Sequence, residues 1–268
     1  MHRLAISLAL ALTLPARAAQ ASDAITFVET RRVNVTITFS GQEVFLYGQA
    51  PPGTTRVVAV MESGSAGPVR LMEKGRVALF WMGVRQYRLT DAPGLYLVNA
   101  NCTVCNHFAS CTHDAESESW NPVLAPLGII VGRGALRASA TLECLSGSLR
   151  AGELDRALEG FWALQSERDL YRVRGNGLRL NGAGAFYHRF LLPSQAPDGR
   201  YTIVTYFLSD GALLGREDNE LFVRKSGLVA WLSRLADRQA ALYASLAIAI
   251  ALAAGWLAGA LFRRGGGH

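Results

Sequence analysis

Cys102, Cys105, His107, Cys111 and His113 crowd five soft or borderline ligands into twelve residues, in the pattern C-x2-C-x-H-x3-C-x-H. Thiolates and imidazoles at this density can close a tetrahedral zinc site. Copper takes the same ligand types, although no Met lies nearby to favour a Cu(I) carrier. Cys144 is the fourth and last cysteine of the chain. In an oxidising compartment four cysteines pair as two disulfides, and that is the preferred reading of the set. A redox role for Cys102-x-x-Cys105 would normally sit in a βαβ context, which the flanking sequence lacks. Covalent haem needs His directly after C-x-x-C; Asn106 stands there, and His107 comes one residue late.

Other reactive patterns are weaker. There is no H-E-x-x-H, P-loop or G-x-S-x-G elbow; Gly64-Ser65-Ala66-Gly67 lacks a glycine at the required offset and reads as a turn. The pairs Gly175-Asn176-Gly177 and Gly182-Ala183-Gly184 fail the dinucleotide-binding spacing and read as loop or hairpin glycines. Arg168, Arg172 and Arg174 read as a solvated cluster complementing a helix C-terminus. No catalytic constellation emerges, so an enzyme is not expected.

The elements that must position these residues are mainly β. Val33, Val35, Ile37 and Phe39 alternate with polar residues, the period-2 pattern of a half-buried strand. Gly- and Pro-punctuated strands are predicted at 44–47, 56–61, 69–71, 77–82 and 95–99, and again at 186–192, 201–208 and 221–224. Between the two runs the spacing predicts a short apolar helix at 123–130 and a longer one over 153–171 with Leu154, Leu158 and Phe161 on one face. The expectation is an immunoglobulin-like β-sandwich module or modules with a helical insertion. Its parts are residues 22–100, a Cys/His-rich loop 101–122, the insertion 123–180, returning strands 181–226 and an amphipathic helix 227–238.

The two ends bear on location. Met1-His2-Arg3, the apolar run Leu4–Leu14 and the small residues around Ala16, Ala18 and Ala21 describe a secretory signal peptide cleaved after Ala18 or Ala21. Residues 239–262 carry no charge. At about 1.5 Å rise per residue a helix of that length reaches roughly 36 Å, enough to cross a bilayer core of about 30 Å. The six residues that follow the span are too few to bury it as a core helix, and Arg263-Arg264 mark them as the cytoplasmic side. Discounting Arg3, Arg17, Arg263 and Arg264 brings the net charge from +6 to +2, which gives no case for nucleic acid. Along the span Ala247, Ala251, Gly255 and Gly259 recur every fourth residue, a ridge against which another membrane helix could dock.

Several ordered stretches carry a resemblance: Val35–Gly48 with its F-x-G-x-E turn, Asp169-Leu170-Tyr171, Gly199-Arg200-Tyr201-Thr202 with Asp210-Gly211, Phe222–Gly227 and Ala254–Gly259 before the Arg pair. In that order and spacing the chain resembles the alphaproteobacterial transmembrane protein family, over nearly all of its length except residues 101–122. The resemblance implies a signal peptide, an exported domain and a C-terminal anchor, with genes beside exporters of the sulfite/anion type, hence an accessory role. It implies no activity. The expectation is therefore a single-pass protein of the bacterial inner membrane, with a periplasmic domain and a cytoplasmic tail, serving a polytopic membrane transporter. The alternative is a periplasmic metal-binding or thiol-redox protein built on the Cys/His cluster, which departs from the family pattern.

Overall fold

A computed structural model describes residues 24–65, 67–101, 124–209 and 212–263. The described chain is mainly β, with a helical segment between two runs of strands and one long apolar helix at its C-terminal end. The first run is β1 (Ile25–Val28), β2 (Arg32–Val35), β3 (Gly41–Gln49), β4 (Arg56–Ser63), β5 (Val69–Val77), β6 (Phe80–Thr90) and β7 (Tyr96–Asn101). Then come a 3-10 turn at Ala125–Leu127, α1 (Arg133–Ser139), β8 (Thr141–Cys144) and α2 (Glu153–Glu167). The second run is β9 (Tyr171–Leu180), β10 (Ala185–Pro193), β11 (Gly199–Ser209) and β12 (Ala212–Lys225), followed by α3 (Gly227–Arg238) and α4 (Ala240–Arg263).

Nine strands join in one hydrogen-bonded order, β1-β3-β10-β9-β7-β4-β11-β12-β2, and β5-β6-β8 form a second sheet. The large sheet curls on itself, for Asn219 Nδ2 on β12 donates to Thr26 Oγ1 on β1 at 2.5 Å, although these strands stand near opposite ends of the order. The mainly β architecture with one C-terminal apolar helix is as expected, built from curled sheets.

Burial divides the sheet. β3 and β10 alternate buried and exposed residues, so one face packs and one meets solvent. β7 is buried at all six positions and β4 nearly throughout, which marks central strands covered on both faces. The core runs through Val44, Leu46, Val58, Met61, Phe190 and Ile203, with Phe161 and Trp162 of α2 standing edge-on to Tyr171 at centroid distances of 5.7 and 5.1 Å. Buried Tyr171 and Tyr201 each donate to a backbone carbonyl, of Pro93 and Pro197, both at 2.6 Å. Their hydroxyls thus enter the core without loss of a partner.

Local chemistry explains where elements stop. The alternation at Val33–Phe39 breaks after Val35 because Phe39 N–H turns back to the Thr36 carbonyl. The run 77–82, predicted as one strand, is instead a hairpin tip: Val77 pairs with Phe80, and Ala78 takes φ 55° in the two-residue connection. Residues 153–171 end as helix at Glu167, where Asp169 adopts φ 59° and the chain enters β9. The insertion 123–180 is thus not wholly helical, since it also holds β8 and β9.

Candidate functional site

The nine-stranded order has one irregular seam. β9 runs parallel to β7 from Tyr171↔Tyr96 to Arg174↔Asn99, then shifts register before Leu178↔Asn101. It pairs with β10 only at Phe186↔Leu180 and Tyr187↔Arg179. Beyond that short rung β9 and β10 separate, while β10 stays zipped to β3 as far as Pro193↔Gly41. The glycines of Gly175-Asn176-Gly177 lie at the shift, where chain bulk would obstruct the opening. A Cβ on Gly177 would collide with Asn99 Oδ1 and come within 3.2 Å of His188 Cε1.

The opening is a cleft of about 400 Å³. Arg172, Arg174, Arg179 and Arg189 stand around it, with Asn99 and His188 among its deeper lining. Strand alternation explains the arginines: Arg172 and Arg174 are two residues apart and share a face of β9, while Arg189 is on the solvent face of β10. Arg189 Nη1 pairs with Glu43 Oε1 at 3.2 Å, and Arg172 pairs with Asp169. Arg174 is exposed and has no ion pair among the described residues. Phe45, Tyr187 and Leu191 add an apolar and aromatic side to the lining.

His188 occupies the core-facing phase of β10, between buried Phe186 and Phe190, and is 4% exposed. Its Nδ1 lies 2.6 Å from the Gly177 carbonyl oxygen, which can only accept, so the proton sits on Nδ1. The Phe190 ring stands T-shaped to it at a centroid distance of 4.4 Å, and Nε2 is buried without a hydrogen-bond partner among the described residues. Burial pushes the imidazole pKa down to about 4 despite the Gly177 hydrogen bond, with Arg174 and Arg189 lowering it further. The resting ring is therefore neutral, beside a crowd of positive charge.

A second cavity, of about 390 Å³, lies between β5 and α2 and is mostly apolar, with Leu71, Ala157, Phe161 and Leu164 in its wall. Tyr87 and Glu153 in its wall are paired. Tyr87 Oη donates to Glu73 Oε2 at 2.7 Å, Arg85 Nε lies 3.1 Å from Glu153 Oε1, and Arg150 N–H donates to Glu153 Oε2 at 2.8 Å. The seam cleft differs from this cavity in its four arginines, which line it together with a buried His188 whose Nε2 has no hydrogen-bond partner among the described residues.

The residues singled out in the sequence fall elsewhere. Cys102, Cys105, His107, Cys111 and His113 lie outside the described residues. Cys144, expected in a disulfide, is a free thiol on β8 among the described residues. Its Sγ accepts from Arg85 Nη2 at 3.1 Å. Burial raises its pKa, but the Ser146 backbone and the Arg85 guanidinium outweigh that and hold it below the usual thiol range. Ala247, Ala251, Gly255 and Gly259 fall on α4; an added Cβ at either glycine would meet nothing within 4 Å. Arg172 and Arg174 belong to a strand and line the cleft, not a helix end. Arg179, Arg189, His188 and Asn99 went unread, although a histidine at a core phase of A-F-Y-H-R-F-L-L was a visible signal.

A family model described as "Putative transmembrane protein (Alph_Pro_TM)" covers residues 25–264. No curated protein matches the chain.

Proposed function

The chain belongs to the Alph_Pro_TM family of transmembrane proteins, and from that premise we propose that it is a tethered accessory protein whose β domain holds a small anion at the β9–β10 seam. The observation that carries this reading is the conjunction of four guanidinium groups with a neutral, buried His188 whose Nε2 lacks a partner among the described residues. Guanidinium forks match carboxylate, sulfonate or phosphate oxygens, and clustering them raises the local positive potential. The aromatic side of the cleft suits an anion with an apolar part. A bound anion would favour protonation of His188, turning its empty Nε2 into a second donor behind the arginines.

The α4 helix has one 20-residue stretch, Ala240–Gly259, long and apolar enough to cross a membrane. The signal-like first residues and the Arg263-Arg264 pair support placing the β domain on the periplasmic side and the tail in the cytoplasm. In this arrangement the ridge of Ala247, Ala251, Gly255 and Gly259 would meet a polytopic transporter, with an anion exporter as its type. Replacing Gly255 and Gly259 with Ile should abolish co-purification with that partner and leave the domain folded; unchanged co-purification removes the docking role.

Thermal melting of the detergent-solubilised full chain with sulfate, phosphate and small carboxylates, over a chloride background, tests the anion reading. Saturable stabilisation by one class, weakened about tenfold in Arg174→Ala, is expected, since a charge-assisted hydrogen bond contributes roughly 1.5 kcal/mol. Equal response to every salt, or no response in the wild type, removes the reading.

A further inference from the structure

The β5–β6 hairpin breaks the usual rule for exposed chain. Its tip residues Leu79, Phe80 and Trp81 are 78%, 71% and 73% exposed, and Met72, Val77, Met82 and Val84 are exposed with them. A contiguous apolar surface of this kind marks an interaction site. The third strand, β8, supports the hairpin only from Tyr87↔Cys144 to Thr90↔Thr141. The rungs from Lys74↔Gly83 to Val77↔Phe80 therefore project alone. Each residue of that free ribbon adds about 3.4 Å of reach. Gly75 keeps the ribbon slim, since a Cβ there would come within 2.9 Å of Val84 Cγ1.

Register shows where the hairpin is rooted. Tyr201 on β11 pairs with Ser63, the last residue of β4, and also with Leu221 of β12. Glu62 pairs with Tyr96, the first residue of β7. The chain thus leaves for the hairpin at Ser63 and returns from it at Tyr96 at one end of the large sheet. From that same end β12 runs on to Lys225 and passes directly into α3 and the apolar α4. The hairpin and the path into α4 thus leave the large sheet from the same end.

We propose that the β5–β6 hairpin tip inserts into the lipid interface beside α4, giving the domain a second, non-spanning attachment to the membrane. Successive residues of a strand face opposite sides, so Phe80 and Met82 lie on one face of the ribbon and Trp81 on the other. A groove in a protein covers one face of a ribbon; lipid surrounds both. Trp and Phe suit the headgroup boundary, and insertion of about 5–10 Å needs no more than the free part of this ribbon. Lys74 and Arg76, on the rungs behind the tip, are placed to meet anionic headgroups. This attachment needs only the anchor and is independent of the anion site.

Reconstitution of the full chain into vesicles of phosphatidylcholine and phosphatidylglycerol, with and without lipids brominated at shallow acyl positions, provides the test. Trp81→Phe keeps the tip apolar, so the emission of wild type minus this variant isolates Trp81 from the other tryptophans. Blue-shifted difference emission that brominated lipid quenches and aqueous acrylamide does not is expected, with most of the quenching lost in Phe80→Ser. Quenching by acrylamide alone places Trp81 in water and overturns the proposal. Quenching by neither places it under protein, which overturns it equally.

Discussion

The seam cleft and the hairpin tip depart from ordinary packing in opposite directions. At the seam a polar group stands where water is scarce: His188 lies in the core phase of β10, its Nε2 without a partner among the described residues, in a cleft also lined by arginines. At the tip, Leu79, Phe80 and Trp81 stand where water is plentiful. Neither arrangement helps an isolated domain fold, because an unpartnered buried polar atom and an exposed aromatic ring both forgo stabilisation. Each is relieved by a different occupant, an anion in one case and lipid in the other. On this account one β framework carries a ligand site and a membrane contact without mixing them.

The largest difference should come from one residue type placed in both regions. Phe190 is 1% exposed and packs against His188. Phe190→Ala should therefore destabilise the domain by about 3–5 kcal/mol in urea unfolding of the solubilised protein. Phe80→Ala, at an exposed position, should change stability by about 0.5 kcal/mol or less. Equal effects would show that the tip is packed and erase the distinction.

Next in size is a pH dependence that belongs to the seam alone. His188 is held at about 4, below its ordinary value of 6.5, so between those values the unfolded chain binds more protons than the folded one. Stability then rises with pH through that window and falls by about 3 kcal/mol as pH drops from roughly 6.5 to roughly 4. Unfolding of His188→Asn across this range should show a flatter acid slope, and an unchanged slope would assign the loss to other groups. Gly177→Val comes third, because its side chain would meet Asn99 and His188. Such overpacking should lower stability by about 1–3 kcal/mol and close the cleft to anions. Arg174→Ala should have the smallest effect on folding, about 0.5 kcal/mol or less. Its exposed guanidinium holds no ion pair among the described residues.

How far these regions could be read in the sequence follows from the same contrast. Strand positions in β3, β4, β7, β10 and β11 were legible because alternation and turn residues act locally, and the span was legible from its uncharged length. The hairpin tip was missed because Val77–Met82 is apolar throughout; only the turn at Ala78, taken with positive φ by a residue other than glycine, separates two strands there. The cleft was missed because Arg172 and Arg189 are far apart in the chain and meet only where β9 leaves β10, a register event with no local signature. Cys102, Cys105, His107, Cys111 and His113 lie outside the described residues, and what the fold adds is confined to Cys144, whose partner is a guanidinium.

The most direct test follows the His188 ring by NMR in the solubilised full chain, assigned by its disappearance in His188→Asn. The ring should titrate near 4 in chloride, and at clearly higher pH once the anion class selected by melting is bound. A His188 signal that titrates at the same pH with and without every anion would contradict an anion site at the seam.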